Sequence, residues 1–181
     1  VDALDAGRAM RVRAVDRGAA DRDGLDAVDE LGVDLAKVDL LARARGPEDA
    51  RGVRADEALA VDENQRALAA ENLVRAADYA EGTGIRFALE PLNRFETDLI
   101  NTVDQGLALV AETGRDDVGL LIDTFHMNIE ETDIPAAIRQ AGSKIFEFHA
   151  CGSHRGTPGE DHLPWSDIAK ALRDVSYDGL V

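Results

Sequence analysis

From about residue 56 onward the chain alternates between amphipathic stretches and short apolar runs. Leu59, Leu68, Leu73, Val74 and Ala77 carry a helical pattern that predicts a helix over Ala58 to Glu81, stopped by Gly82-Thr-Gly84. An apolar run, Ile85 to Leu89, follows and ends at Glu90-Pro91. A second helix is predicted over Thr102 to Glu112 before Gly114, and a second run, Val118 to Ile122, ends at Asp123. A third helix, Ile134 to Ala141, closes at Gly142, and a third run, Lys144 to Phe148, ends at His149. A fourth helix over Ser166 to Arg173 leads to Gly179-Leu180-Val181, which reads as the opening of a fourth strand. Short apolar runs that alternate with helices of this length indicate βα units and a parallel sheet.

The first part of the chain is different. Residues 1–78 contain no Phe, Trp or Tyr and are rich in Asp, Arg, Ala and Val. Leu25, Val28, Leu31, Leu35 and Val38 suit an amphipathic helix. A break at Gly32, with a strand over Val33 to Leu41, fits equally well. Residues 1–23 and 43–56 are charged and weakly patterned, and read as loop or disorder. The division expected is a poorly patterned region over 1–55 and an α/β region over 56–181.

Composition removes several classes of function. A formal net charge of -16 argues against a nucleic-acid binder, because such proteins gain affinity by setting Lys and Arg on phosphates. The single cysteine, Cys151, allows no intrachain disulfide and reads as a packing residue. No segment approaches the ~20 apolar residues that span a bilayer, and the acidic N-terminus lacks a signal-peptide layout. The expectation is a cytoplasmic protein without membrane partners. A start at Val rather than Met suggests a fragment or processed product.

Each apolar run ends in a residue able to bind a metal or move a proton: Glu90, Asp123 and His149. In a (β/α)₈ barrel the strand C-termini form one mouth where the active site lies, so the three would converge there. Two carboxylates and an imidazole make a hard-to-borderline donor set suited to Mn²⁺, Mg²⁺ or Co²⁺. Taken singly, such residues usually begin loops or cap helices; taken together they favour a site.

The segments Glu90-Pro-Leu-Asn-Arg-Phe-Glu96-Thr, Asp123-Thr-Phe-His126-Met-Asn and Phe148-His149-Ala-Cys-Gly-Ser-His-Arg155-Gly-Thr-Pro-Gly resemble the ketose 3-epimerases of the xylose-isomerase-like TIM-barrel superfamily. The resemblance covers about residues 65 to 181. It implies the C-terminal half of a (β/α)₈ barrel, strands five to seven and the start of eight. It further implies metal ligation by Glu90, Asp123 and His149, with Mn²⁺ the expected ion, proton transfer by Glu90, and contacts to the sugar from Glu96, His126 and Arg155. The implied reaction is C3 epimerisation of a free ketose through a cis-enediolate, which needs acid-base groups on both faces of the carbon.

The family's second catalytic glutamate ends the eighth strand, and here the sequence reaches Val181 before any such residue. A complete barrel also usually needs about 250 residues. The sequence is therefore expected to describe an incomplete enzyme with little or no epimerase activity. An open half-barrel would expose two sheet edges and aggregate, or pair with a second copy as a homo-oligomer. The alternatives are an aldose-ketose or hydroxypyruvate isomerase of the same fold, or a non-functional fragment. A metal-dependent nuclease of the superfamily is disfavoured by the charge.

Overall fold

The computed structural model describes residues 11–16 and 63–181. The alternative readings of residues 25–41, the segment 43–56 and the boundary at 55/56 lie outside the described residues. Strand β1 (Arg11–Asp16) is followed, among the described residues, by helix α1 (Glu63–Tyr79), β2 (Ile85–Glu90) and α2 (Val103–Thr113). Then come β3 (Val118–Asp123), α3 (Thr124–Glu130), α4 (Ile134–Ala141), β4 (Ile145–His149) and α5 (Trp165–Asp174), with a single 3₁₀ turn at Gly142–Lys144. Among the described residues the sheet has four strands, in the order β1-β2-β3-β4.

Strands β2, β3 and β4 run parallel, as the alternating pattern predicts. Helices cover one face of the sheet. Phe87, Leu89, Val118, Leu120 and Ile122 pack there with Leu73 and Ala77 of α1, Leu109 of α2, Ile138 of α4 and Ile168 of α5. Each such Leu or Ile, fully removed from water, contributes roughly 2 kcal/mol. Leu68, expected in the apolar stripe of α1, is instead exposed.

Local chemistry explains where the helices begin and end. Thr102 caps α2 through a capping box: its side chain accepts from the backbone N–H of Gln105, whose side chain returns to the backbone of Thr102. Gly114 ends that helix in the left-handed conformation, φ 63°. Asp133 caps α4 by accepting from the N–H of Ala136.

The structure corrects two expectations and adds one element. Residues 11–16, read as loop or disorder, form a strand that runs antiparallel along β2, with Arg11 opposite Glu90. One edge of the parallel strands is thereby covered. Gly179–Val181 is not a strand, although the carbonyl of Leu180 accepts from the N–H of Phe148, 3.3 Å away, beside β4. The short helix α3 was not anticipated, because it starts directly at the end of β3 with no loop between them.

A bulge in β4 decides which way the site residues face. Leu120 pairs with Ile145, but Leu121 pairs with Glu147, so Phe146 is an extra residue. From there the register runs Ile122 to Phe148 and Asp123 to His149. Because strand side chains alternate, this one-residue slip turns Glu147 and His149 to the same face as Leu121 and Asp123.

Candidate active site

Glu90, Asp123 and His149 end the adjacent strands β2, β3 and β4. Glu90 and Asp123 are buried and His149 is partly exposed. The Nδ1 atom of His149 lies 4.0 Å from Oδ2 of Asp123. The hydroxyl of Thr124 ties the ends of β3 and β4 together. It donates to the carbonyl of Cys151 at 2.6 Å and accepts from the Cys151 N–H at 2.8 Å. Asp123 has a second role, since Oδ1 accepts from the N–H of Phe125 at 2.8 Å and caps α3.

His126 stands within that short helix and is 1% exposed. Its Nε2 lies 3.5 Å from Oε1 of Glu90. Ligand-type atoms of Glu90, Asp123 and His126 all fall within 4.8 Å of one another, close enough to surround one cation. The hydrogen bonds of His126 refine this picture. Its Nδ1 faces the backbone N–H of Asn93 at 3.1 Å and Nδ2 of Asn93 at 2.8 Å. A backbone N–H can only donate, so Nδ1 is the accepting nitrogen. Burial pushes the His126 pKa below the usual imidazole value, against the pull of Asp123 and Glu96, and the ring is neutral at pH 7. A neutral ring that accepts at Nδ1 carries its proton at Nε2. Nε2 is buried and has no hydrogen-bond partner. With Oε1 of Glu90 3.5 Å away, it is left, among the described residues, a donor without a hydrogen bond beside the carboxylates.

The segment after β2 folds back to form the rim. The Asn101 side-chain amide donates to the carbonyls of Leu92, at 2.7 Å, and Thr97, at 2.9 Å. Arg94 grips the carboxylate of Glu130 on α3, with Nη2 to Oε2 at 2.9 Å. Glu96 then accepts from Nδ2 of Asn93 at 3.0 Å and from Nη2 of Arg155 at 2.8 Å. The Arg155 guanidinium also lies over the Phe125 ring, 3.9 Å from its centroid. All the residues expected at the site thus gather at one end of the sheet: Glu90, Glu96, Asp123, His126, His149 and Arg155.

Three participants were not anticipated. Asn93 fixes the His126 tautomer. Arg11 of β1 brings Nη1 to 3.8 Å from Oε2 of Glu90 and Nη2 to 3.3 Å from Oε2 of Glu96. Glu147 is buried beside His149, with Oε1 3.0 Å from Nε2. A lone glutamate inside the apolar run Ile145-Phe146-Glu147-Phe148 is the signal that could have revealed the last.

Burial raises the Glu90 pKa above the usual carboxylate value; Arg11 and His149 lower it, while Asp123 and Glu96 raise it. An acid whose folded pKa is raised favours the fold at low pH, and that contribution is lost as pH rises through the folded pKa. Glu90→Gln removes the buried charge. The metal-free variant is expected to melt above the wild type at pH 7, with the advantage disappearing below about pH 4, where both states of the wild type are protonated. Thermal melts across that range, without added metal, check it.

The "Xylose isomerase-like TIM barrel" family matches residues 19–181. The chain belongs to that family. The match begins well before residue 65, where the resemblance in the motifs starts, and after β1. Among curated relatives, D-psicose 3-epimerase of Agrobacterium fabrum is 44% identical over 111 residues, 61% of this chain and 38% of that protein. L-ribulose 3-epimerase of Mesorhizobium japonicum is 45% identical over 116 residues, 64% of this chain and 38% of that protein. A crystal structure of D-psicose 3-epimerase in the presence of D-fructose superposes with TM-score 0.66 at 34% identity, covering 91% of this chain and 57% of that one. The chain thus spans about two fifths of the length of these curated relatives. As a member of this barrel family it carries its candidate site where barrels place theirs, at the C-terminal ends of parallel strands. No helix among the described residues is long and apolar enough to cross a membrane.

Proposed function

We propose that this chain is part of a metal-dependent sugar epimerase acting at C3 of a free ketose, and that β2, β3 and β4 correspond to strands five, six and seven of the barrel. The observation that carries the reading is the placement of Glu90, Asp123 and His149 at the ends of three adjacent strands, with Nδ1 of His149 4.0 Å from Asp123, beside the buried Nε2 of His126. The donor set fits a divalent cation: two carboxylates and one imidazole, with Mn²⁺ the proposed ion and Mg²⁺ or Co²⁺ chemically acceptable. Glu90, Asp123 and His149 would hold it, and it would supply positive charge to the oxygens of an enediolate.

Glu90 is the proposed base. Its carboxylate takes the C3 proton, the C–H electron pair becomes the C2–C3 double bond, and the C2 carbonyl oxygen gains negative charge. His126 donates from Nε2 to an oxygen next to the reacting carbon. Arg155 and Glu96, paired at the rim, orient the remaining hydroxyls. Return of the proton by Glu90 restores the ketose, whereas delivery to the other face by a second acid gives the C3 epimer. The substrate class follows the relatives, whose names specify D-psicose and L-ribulose.

Exchange at C3 therefore reports on Glu90 by itself. In D₂O with Mn²⁺, the chain is expected to place deuterium at C3 of D-tagatose, D-fructose or L-ribulose, and Glu90→Gln to stop it. Label at C1 would favour the aldose-ketose isomerase reading, and no label at either carbon would contradict the proposal.

A further inference from the structure

We propose that Glu147 is a positioning residue that fixes the tautomer of His149, holding its Nε2–H so that Nδ1 keeps a lone pair toward Asp123. The inference rests on the reading of His149 as a metal ligand and assigns a role to a residue outside the ligand set. Glu147 and His149, two residues apart in β4, share a face, and the bulge at Phe146 turns that face to the side of Asp123. Oε1 of Glu147 then lies 3.0 Å from Nε2, while Nδ1 lies 4.0 Å from Oδ2 of Asp123. A carboxylate beside a ring nitrogen can only accept, so the proton sits on Nε2 and leaves Nδ1 free to ligate.

A buried glutamate in an apolar strand is costly unless it is hydrogen-bonded, and Oε1 of Glu147 takes both the contact with His149 and a hydrogen bond from Nη1 of Arg13, 2.5 Å away. Arg13 is also the competitor for Nε2, at 3.3 Å. The shorter contact belongs to Glu147, and Arg13 donates to that same carboxylate. Carboxylate–histidine–metal arrangements set both ring orientation and ligand basicity, and their loss commonly costs 10- to 100-fold in metal affinity.

The decisive experiment combines a tautomer measurement with metal titration. Long-range ¹H–¹⁵N spectra of the metal-free chain, assigned with His149→Gln, should show His149 protonated at Nε2. Glu147→Gln should lose that signature and weaken Mn²⁺ binding by roughly 10- to 100-fold. Glu147→Asp should recover part of the affinity, and Arg13→Ala should preserve both the tautomer and Mn²⁺ binding. A wild-type His149 protonated at Nδ1 would overturn the proposal, whether or not the variants fold. Unchanged Mn²⁺ affinity in Glu147→Gln would do so too, as would an Arg13→Ala loss equal to it, since Glu147 would then act only as a counterion. Failure of the ligand reading is distinguishable: His149→Gln would bind Mn²⁺ like the wild type.

Discussion

Asp123→Asn is expected to weaken Mn²⁺ binding by at least 100-fold while leaving the fold nearly as stable as before. The substitution separates the two roles of this side chain. Oδ1 caps α3 by accepting from the N–H of Phe125, and asparagine is as good an N-cap as aspartate. The cap survives. The oxygen facing Nδ1 of His149 loses its charge, and hard divalent ions depend on charged oxygen ligands. A ligand should cost at least as much as the 10- to 100-fold typical of groups that only orient ligands. Titration calorimetry supplies the affinity and a metal-free melt supplies the control. Mn²⁺ binding equal to the wild type would remove Asp123 from the site.

The second large effect concerns stability. Gly119 sits in β3 where β4 passes close: a Cβ built there would lie 2.6 Å from the carbonyl oxygen of Lys144 and 2.8 Å from the ring of Phe146. The first neighbour is backbone and the second packs in a small buried cluster with Ala88 and Leu121. Neither can yield without moving β4. Gly119→Ala is expected to destabilise by about 1–3 kcal/mol, the usual cost of overpacking, lowering Tm by roughly 2–12 °C for a chain of this size. Because β4 carries His149, Mn²⁺ affinity should fall with it. An unchanged melt would mean that the strands lie farther apart than described.

The boundary signals in the sequence were strong where local chemistry alone sets them. Gly114 and Gly142 end their helices, Thr102 begins one, and the polar residue closing each apolar run marks the mouth of the sheet. Features that depend on long-range pairing were hidden. Arg11–Asp16 is a short segment with three charged residues among six, and its pairing along β2 is what makes it a strand. The bulge at Phe146 leaves no mark in the sequence, and the lone Glu147 within that apolar run is the one local sign that a polar side chain there faces the site. The motif resemblance placed His126 near the substrate. What the motif could not show is that Nδ1 of His126 accepts from the backbone N–H of Asn93, 33 residues away in the chain.

That distinction is the centre of the account. Two histidines stand near Asp123, and under the proposed function they differ: His126 a donor, His149 a ligand. The direct test is Mn²⁺ titration of His149→Gln beside His126→Gln, read by calorimetry and by the Mn²⁺ EPR signal. His149→Gln is expected to lose at least 100-fold in affinity, while His126→Gln stays within a few-fold of the wild type. The reverse order, with His126→Gln abolishing binding and His149→Gln leaving it intact, would contradict it and assign the cation to Glu90, Asp123 and His126.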